Sequence, residues 1–174
     1  MGVSFVTSQQ AWNFALYSKH ATAVTLYLYQ QNDTDNPVYS YNFKPLLNKS
    51  GRVWHCRIPA ATIDGAHYYA YKVDGPFDLR EGHRFDPQKI LLDPYARAVH
   101  FPPGFDRTAA IGPGANVGKA PLGLIHINHA NNTPHEAQSP LHTHDTIIYE
   151  LHVKGFTQHH YCPVKHLRAL KAVV

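Results

Sequence analysis

His142-Thr143-His144-Asp145, with His129 and His135 upstream, is the densest run of potential metal ligands in the chain. Imidazole and carboxylate are donors that zinc accepts, but a zinc site needs its ligands fixed at short distances by supporting hydrogen bonds. These residues sit in a proline-rich polar stretch with no cysteine nearby, so they read as a solvated histidine-rich connector, and no metal site is expected. Gly112-Pro113-Gly114-Ala115-Asn116-Val117-Gly118-Lys119 has the outline of a phosphate-cradling loop. It fails the pattern, because Pro113 displaces the first glycine and Ala120 stands where a magnesium-holding Ser or Thr belongs. A flexible loop is the expectation there. The two cysteines, Cys56 and Cys162, have no framework spacing. Cys56 reads as core, and a thiolate nucleophile would need a base that the sequence does not place. No cofactor is implied.

The elements that would carry such side chains are mostly strands over residues 1–100. Trp12–Ser18 is the first clear strand. Thr22–Tyr29 alternates, with Val24, Leu26 and Leu28 on one face and Thr25, Tyr27 and Tyr29 on the other. Gln30–Pro37 is rich in turn formers. Val38–Phe43, Arg52–Ile58 and His67–Val73 follow, the second with Trp54, Cys56 and Ile58 on one side, the third with Tyr69, Tyr71 and Val73. Short strands punctuated at this spacing predict a β-sandwich. Pro87 and Pro94 break Phe85–Val99, which reads as a compact turn and a short segment closing the sandwich. Residues 100–144 read as a linker or long surface loop. Ile147–Val153 is then an apolar strand of the kind buried in sheets, with too little chain after it to build its neighbours.

Bulk properties narrow the function classes. The net charge is +4 with no long basic run, which argues against nucleic-acid binding. No segment approaches the roughly 18 apolar residues of a membrane span. The N-terminus lacks the basic start and apolar core of a secretory signal. Two unpatterned cysteines give a reduced, cytoplasmic setting as the expectation.

Four blocks occur in order: Asn13–Tyr29 (NFALYSKHATAVTLYLY), His67–Pro76 (HYYAYKVDGP), Gly82–Val99 (GHRFDPQKILLDPYARAV) and Asp145–Thr157 (DTIIYELHVKGFT). Together they resemble the N-terminal part of isoamylase-type glycogen debranching enzymes of glycoside hydrolase family 13, over nearly the whole chain to about His166. The resemblance implies an all-β, immunoglobulin-like sandwich of carbohydrate-binding module family 48 over 1–100. A linker over 101–144 would follow, and 145–174 would be the start of a truncated (β/α)8 barrel, with Tyr149–Phe156 as its first strand and exit. The family hydrolyses α-1,6 branch linkages in glycogen and related α-glucans with a retaining carboxylate pair. Those carboxylates come from later barrel strands, so no catalytic residue carries over, and Glu150 reads as structural. After His166 the chain departs from the pattern, as a truncation, frameshift or deletion would make it.

The implied partners are an α-glucan, engaged through the full enzyme, and the missing catalytic barrel. For the sugar, Tyr27 and Tyr29 are the candidate platform, since flat rings gain contact with sugar faces; the competing reading is that they cover a sheet face. Trp54 reads as core, and Trp12 cannot be placed. The block Ile90-Leu91-Leu92-Asp93-Pro94-Tyr95 is the candidate interface with the barrel. The alternative is a stand-alone glucan-binding or regulatory module without catalysis.

Overall fold

The computed structural model describes residues 1–125 and Glu150. The expected barrel strand, the histidine-rich run and Cys162 lie outside the described residues, and Glu150 is exposed. The strands are β1 (Gly2–Val6), β2 (Ala11–Tyr17), β3 (Ala23–Tyr29), β4 (Tyr39–Asn42), β5 (Lys49–Ser50), β6 (Val53–Pro59), β7 (Tyr68–Asp74), β8 (Phe77–Asp78), β9 (His83–Arg84), β10 (Val99–His100) and β11 (Leu122–Leu124).

They build two antiparallel sheets, ordered β1-β2-β6-β5 and β10-β11-β7-β3-β4, plus the small hairpin β8-β9. Period-two alternation decides which side chains meet between the sheets. From the first sheet come Phe14, Leu16, Trp54, Cys56 and Ile58; from the second come Leu26, Leu28, Tyr69 and Tyr71, all buried in one cluster. The rings of Phe14 and Tyr69 meet edge to face at 5.6 Å, the geometry aromatic quadrupoles favour. Trp54 is fully buried yet keeps its indole N–H satisfied by donating to the Ser18 carbonyl at 3.2 Å. Trp12 lies in register between Phe5 and Ile58, with the Phe5 ring centroid 4.9 Å away.

The sandwich expectation therefore holds, with the five strands read from sequence, β2, β3, β4, β6 and β7, within about two residues of their expected positions. The linker expectation needs correction over its first part. Leu122–Leu124 is an interior strand of the five-stranded sheet, between β10 and β7, and the compact unit runs from Met1 to His129. The physical reason is that β7 would otherwise expose unpaired backbone groups on that side. β11 satisfies them at Tyr68 and Tyr69, and Leu91 continues the edge by exchanging two backbone hydrogen bonds with Tyr71 at 2.8 and 3.0 Å. Gly123 is opposite Tyr69, where a Cβ would fall 2.5 Å from the tyrosine ring, so glycine lets the ring lie across the strand.

The loop 112–119 also differs from the flexible loop expected. Asn116 is buried and clasps Ile90 from both sides, its Oδ1 accepting from the Ile90 N–H at 2.7 Å and its Nδ2 donating to the Ile90 carbonyl at 3.0 Å. Among the described residues no helix is long and apolar enough to cross a membrane.

Candidate functional site

The outer face of the five-stranded sheet carries the proposed tyrosine platform. Alternation does place Tyr27 and Tyr29 there, opposite the core residues of β3. Tyr29, however, is only 1% exposed. It packs with Tyr68, Ala70, Ile90, Ala120 and Leu122 in a second apolar cluster. A ring so enclosed has no face to offer a sugar, so the platform expectation is corrected at Tyr29. Burial, then the neighbouring Tyr27 and Asp35, also hold its hydroxyl well above the ordinary phenol range. Tyr27 remains partly buried, with the Lys72 ammonium 5.6 Å from its ring centroid, within cation–π reach. Tyr68 stacks flat on His100, with centroids 4.3 Å apart and planes 7° from parallel.

The block 90–95 divides in two. Ile90 and Asp93 turn inward and serve this unit's own interior; Leu91, Pro94 and Tyr95 are exposed and Leu92 is half-buried. Asp93 is the deepest carboxyl of the described chain, at 1% exposure. It accepts from the Tyr69 hydroxyl at 2.9 Å and from the Tyr95 N–H at 2.8 Å. Burial first, and Asp93 second, hold the Tyr69 hydroxyl far above the ordinary phenol range. The Tyr71 hydroxyl is buried close by without a hydrogen-bond partner among the described residues. Sequence reading placed both tyrosines on one strand face and Asp93 in the candidate interface, but had no signal for the contact between Tyr69 and Asp93, because it spans 24 positions and follows no period.

Between the end of β2 and the segment from β9 to Pro94 lies a groove of about 400 Å³. Leu16, Tyr71 and Val73 line it from the sandwich; Phe85, Leu91 and Leu92 line it from the segment. Phe85 is held by Gly75, where a Cβ would lie 2.8 Å from ring carbons. Tyr17 is 48% exposed at the mouth and its hydroxyl faces the Arg52 guanidinium at 3.5 Å. Asp86 is oriented by backbone donors, accepting from Gln88 N–H at 2.9 Å and Gly114 N–H at 3.2 Å. Among the described residues no three His, Cys, Asp or Glu side chains come together as a metal site would require.

A two-sheet antiparallel sandwich with an apolar interior, a second apolar cluster on its outer face and a polar-lined groove on its flank is a β-module in architecture. The family model for carbohydrate-binding module 48, the isoamylase N-terminal domain, matches residues 1–96, and the chain belongs to that family. It is 34% identical over 158 residues to the chloroplastic isoamylase SU1 of Zea mays, an alignment covering 88% of this chain and 19% of the relative. It is 33% identical over 153 residues to a glycogen debranching enzyme of Yersinia enterocolitica, covering 85% of this chain and 22% of that enzyme. The chain thus spans about a fifth of the length of these curated relatives. Among solved structures, the catalytic module of the pneumococcal glycogen-degrading virulence factor SpuA superposes with a TM-score of 0.52 at 16% identity, over 75% of this chain and 17% of its own. The Group B Streptococcus pullulanase SAP gives 0.51 at 16% identity, over 75% of this chain and 15% of its own. At that identity the likeness is one of fold.

Proposed function

We propose that this chain is the N-terminal module of an isoamylase-type α-glucan debranching enzyme, which hydrolyses α-1,6 branch linkages through a (β/α)8 barrel built by further sequence. One observation carries the reading. The alignments to the maize and Yersinia enzymes extend over 85–88% of this chain, well past the residues 1–96 that the module family accounts for. A stand-alone module would share only the sandwich. In this reading Tyr149–Phe156 forms the first barrel strand, and the module meets the barrel through the exposed end of the block 90–95, Pro94 and Tyr95. The sandwich holds the fold of the enzyme together and presents glucan to it, and the carboxylate pair of the retaining mechanism comes from later barrel strands.

The test is a chimera. This chain replaces the corresponding N-terminal portion of the Yersinia enterocolitica enzyme, and reducing-end release from amylopectin is measured. The expected result is a soluble chimera that debranches, while the 174-residue chain by itself releases nothing above a protein-free blank. A chimera that folds but lacks activity, beside an active parent, would overturn the reading.

A further inference from the structure

We propose that the groove between Tyr17, Phe85 and the Leu91–Leu92 segment is the seat of a linear α-1,4-glucan on this module. The proposal rests on the glucan reading above and goes beyond it by moving the sugar away from the tyrosine-rich sheet face. That face has no free ring to give. Tyr29 is enclosed, Tyr27 lies under Lys72, and Tyr68 is covered by His100.

The groove supplies what the face lacks. Its volume of about 400 Å³ falls within the roughly 300–1,000 Å³ of small-molecule sites, which combine apolar walls with a few placed polar groups. A glucosyl ring has two faces of C–H bonds and a rim of hydroxyls that both donate and accept. Tyr17 offers a half-exposed ring whose far end is tethered toward Arg52. Phe85 and Leu91 provide the opposing apolar wall, and the seating of Phe85 on Gly75 fixes that wall before any ligand arrives. Arg84 at the rim donates, Asp86 accepts, and Ser18 does both. Each Asp86 oxygen already takes one backbone N–H, which orients the carboxylate while leaving each oxygen a further lone pair. A rim of both signs suits a neutral polyhydroxyl ligand. An apolar protein segment seated there would instead have to strip water from Arg84 and Asp86 without pairing them.

The experiment titrates the isotope-labelled 174-residue chain with maltoheptaose and follows its amide spectrum. Saturable shifts are expected at 16–18, 71, 82–86 and 91–92, with 25–29 and 68–70 unmoved. Tyr17→Ala should weaken binding about tenfold, the loss of one stacking ring, while Tyr17→Phe restores it. Tyr27→Ala should change affinity by less than about twofold, since surface substitutions away from the contact are near neutral. If Tyr17→Ala shifts the melting transition, Arg84→Ala, an exposed rim change, replaces it with an expected loss of about fivefold. Loss of binding in Tyr27→Ala with Tyr17→Ala unaffected overturns the groove assignment and leaves the glucan reading standing. Absence of any saturable shift overturns the groove assignment, while the debranching reading stands or falls with the chimera.

Discussion

Both faces of the five-stranded sheet hold deeply buried side chains, and they are sealed in different ways. On the inner face Leu26, Leu28 and Tyr69 are fully buried against a second hydrogen-bonded sheet. On the outer face Tyr29 and Ala70 are as deeply buried, beneath a cover with no ladder of its own beyond short pieces. That cover is fastened at points: the Asn116 clasp on Ile90 and the Leu91 exchange with Tyr71. Equal burial therefore does not mean equal cooperativity. The inner seal is distributed over many side chains, whereas a few point contacts hold the outer one.

The largest effect should come from the inner face. Leu26→Ala, at a site with no exposed surface, is expected to cost about 2–5 kcal/mol, measured by urea unfolding of the whole chain. A loss of under about 1 kcal/mol would mean the inner packing relaxes freely, and the contrast would collapse. Next is Asn116→Ala, which leaves the buried Ile90 N–H and carbonyl unpaired and should cost about 2–3 kcal/mol. Its signature is local: amide exchange should quicken at Ile90 and 120–122 while β2 and β6 stay protected. Uniform quickening would show that both covers open as one unit.

A smaller and sharper pair is Tyr69→Phe against Tyr71→Phe. The first removes the hydroxyl that satisfies buried Asp93 and should cost about 1.5–3 kcal/mol, as for a bond to a charged group. The second deletes a hydroxyl with no partner among the described residues and should be neutral within about 0.5 kcal/mol, or stabilising. Equal losses would show that the Tyr71 hydroxyl does hold a bond in solution.

The smallest effect is on pH dependence. Burial pushes the Cys56 thiol from 9.0 up to about 12, so above pH 9 the unfolded chain releases a proton that the folded chain keeps. This contribution is whole below pH 9 and is lost as the pH rises toward 12, because stability falls wherever the native state holds more protons. Tyr29, Tyr69 and Tyr71, raised above 10.0 by burial, extend the same loss upward. A flat melting temperature from pH 8 to 11 would contradict it, and Cys56→Ala should soften its onset.

Alternation made the inner face legible, since Val24, Leu26 and Leu28, or Tyr69, Tyr71 and Val73, announce themselves by period. It also put Tyr27 and Tyr29 on the correct side. What it could not supply was the cover over that side, because facing outward from a sheet is not the same as facing water. Leu122–Leu124 is too short for a period to register, and a glycine in its middle reads as a break. β1 likewise begins at a glycine, Gly2, whose φ of +80° suits a bend, and β1 was not expected. The groove was invisible for a related reason. Tyr17, Phe85 and Leu91 come from three separate stretches, joined only by how the β8-β9 hairpin folds back.

The edge of β7 has one further consequence. It is closed by two pieces of chain far apart in sequence, β11 at Tyr68 and Tyr69 and Leu91 at Tyr71. A foreign strand seeking to add onto the centre of this sheet must wait for both to leave, and neither departure requires the sandwich to melt. Strand addition at the centre of this sheet is thus set by the rate at which β11 and the Leu91 segment lift, and the Tyr71 amide, which donates to the Leu91 carbonyl, keeps time for that event.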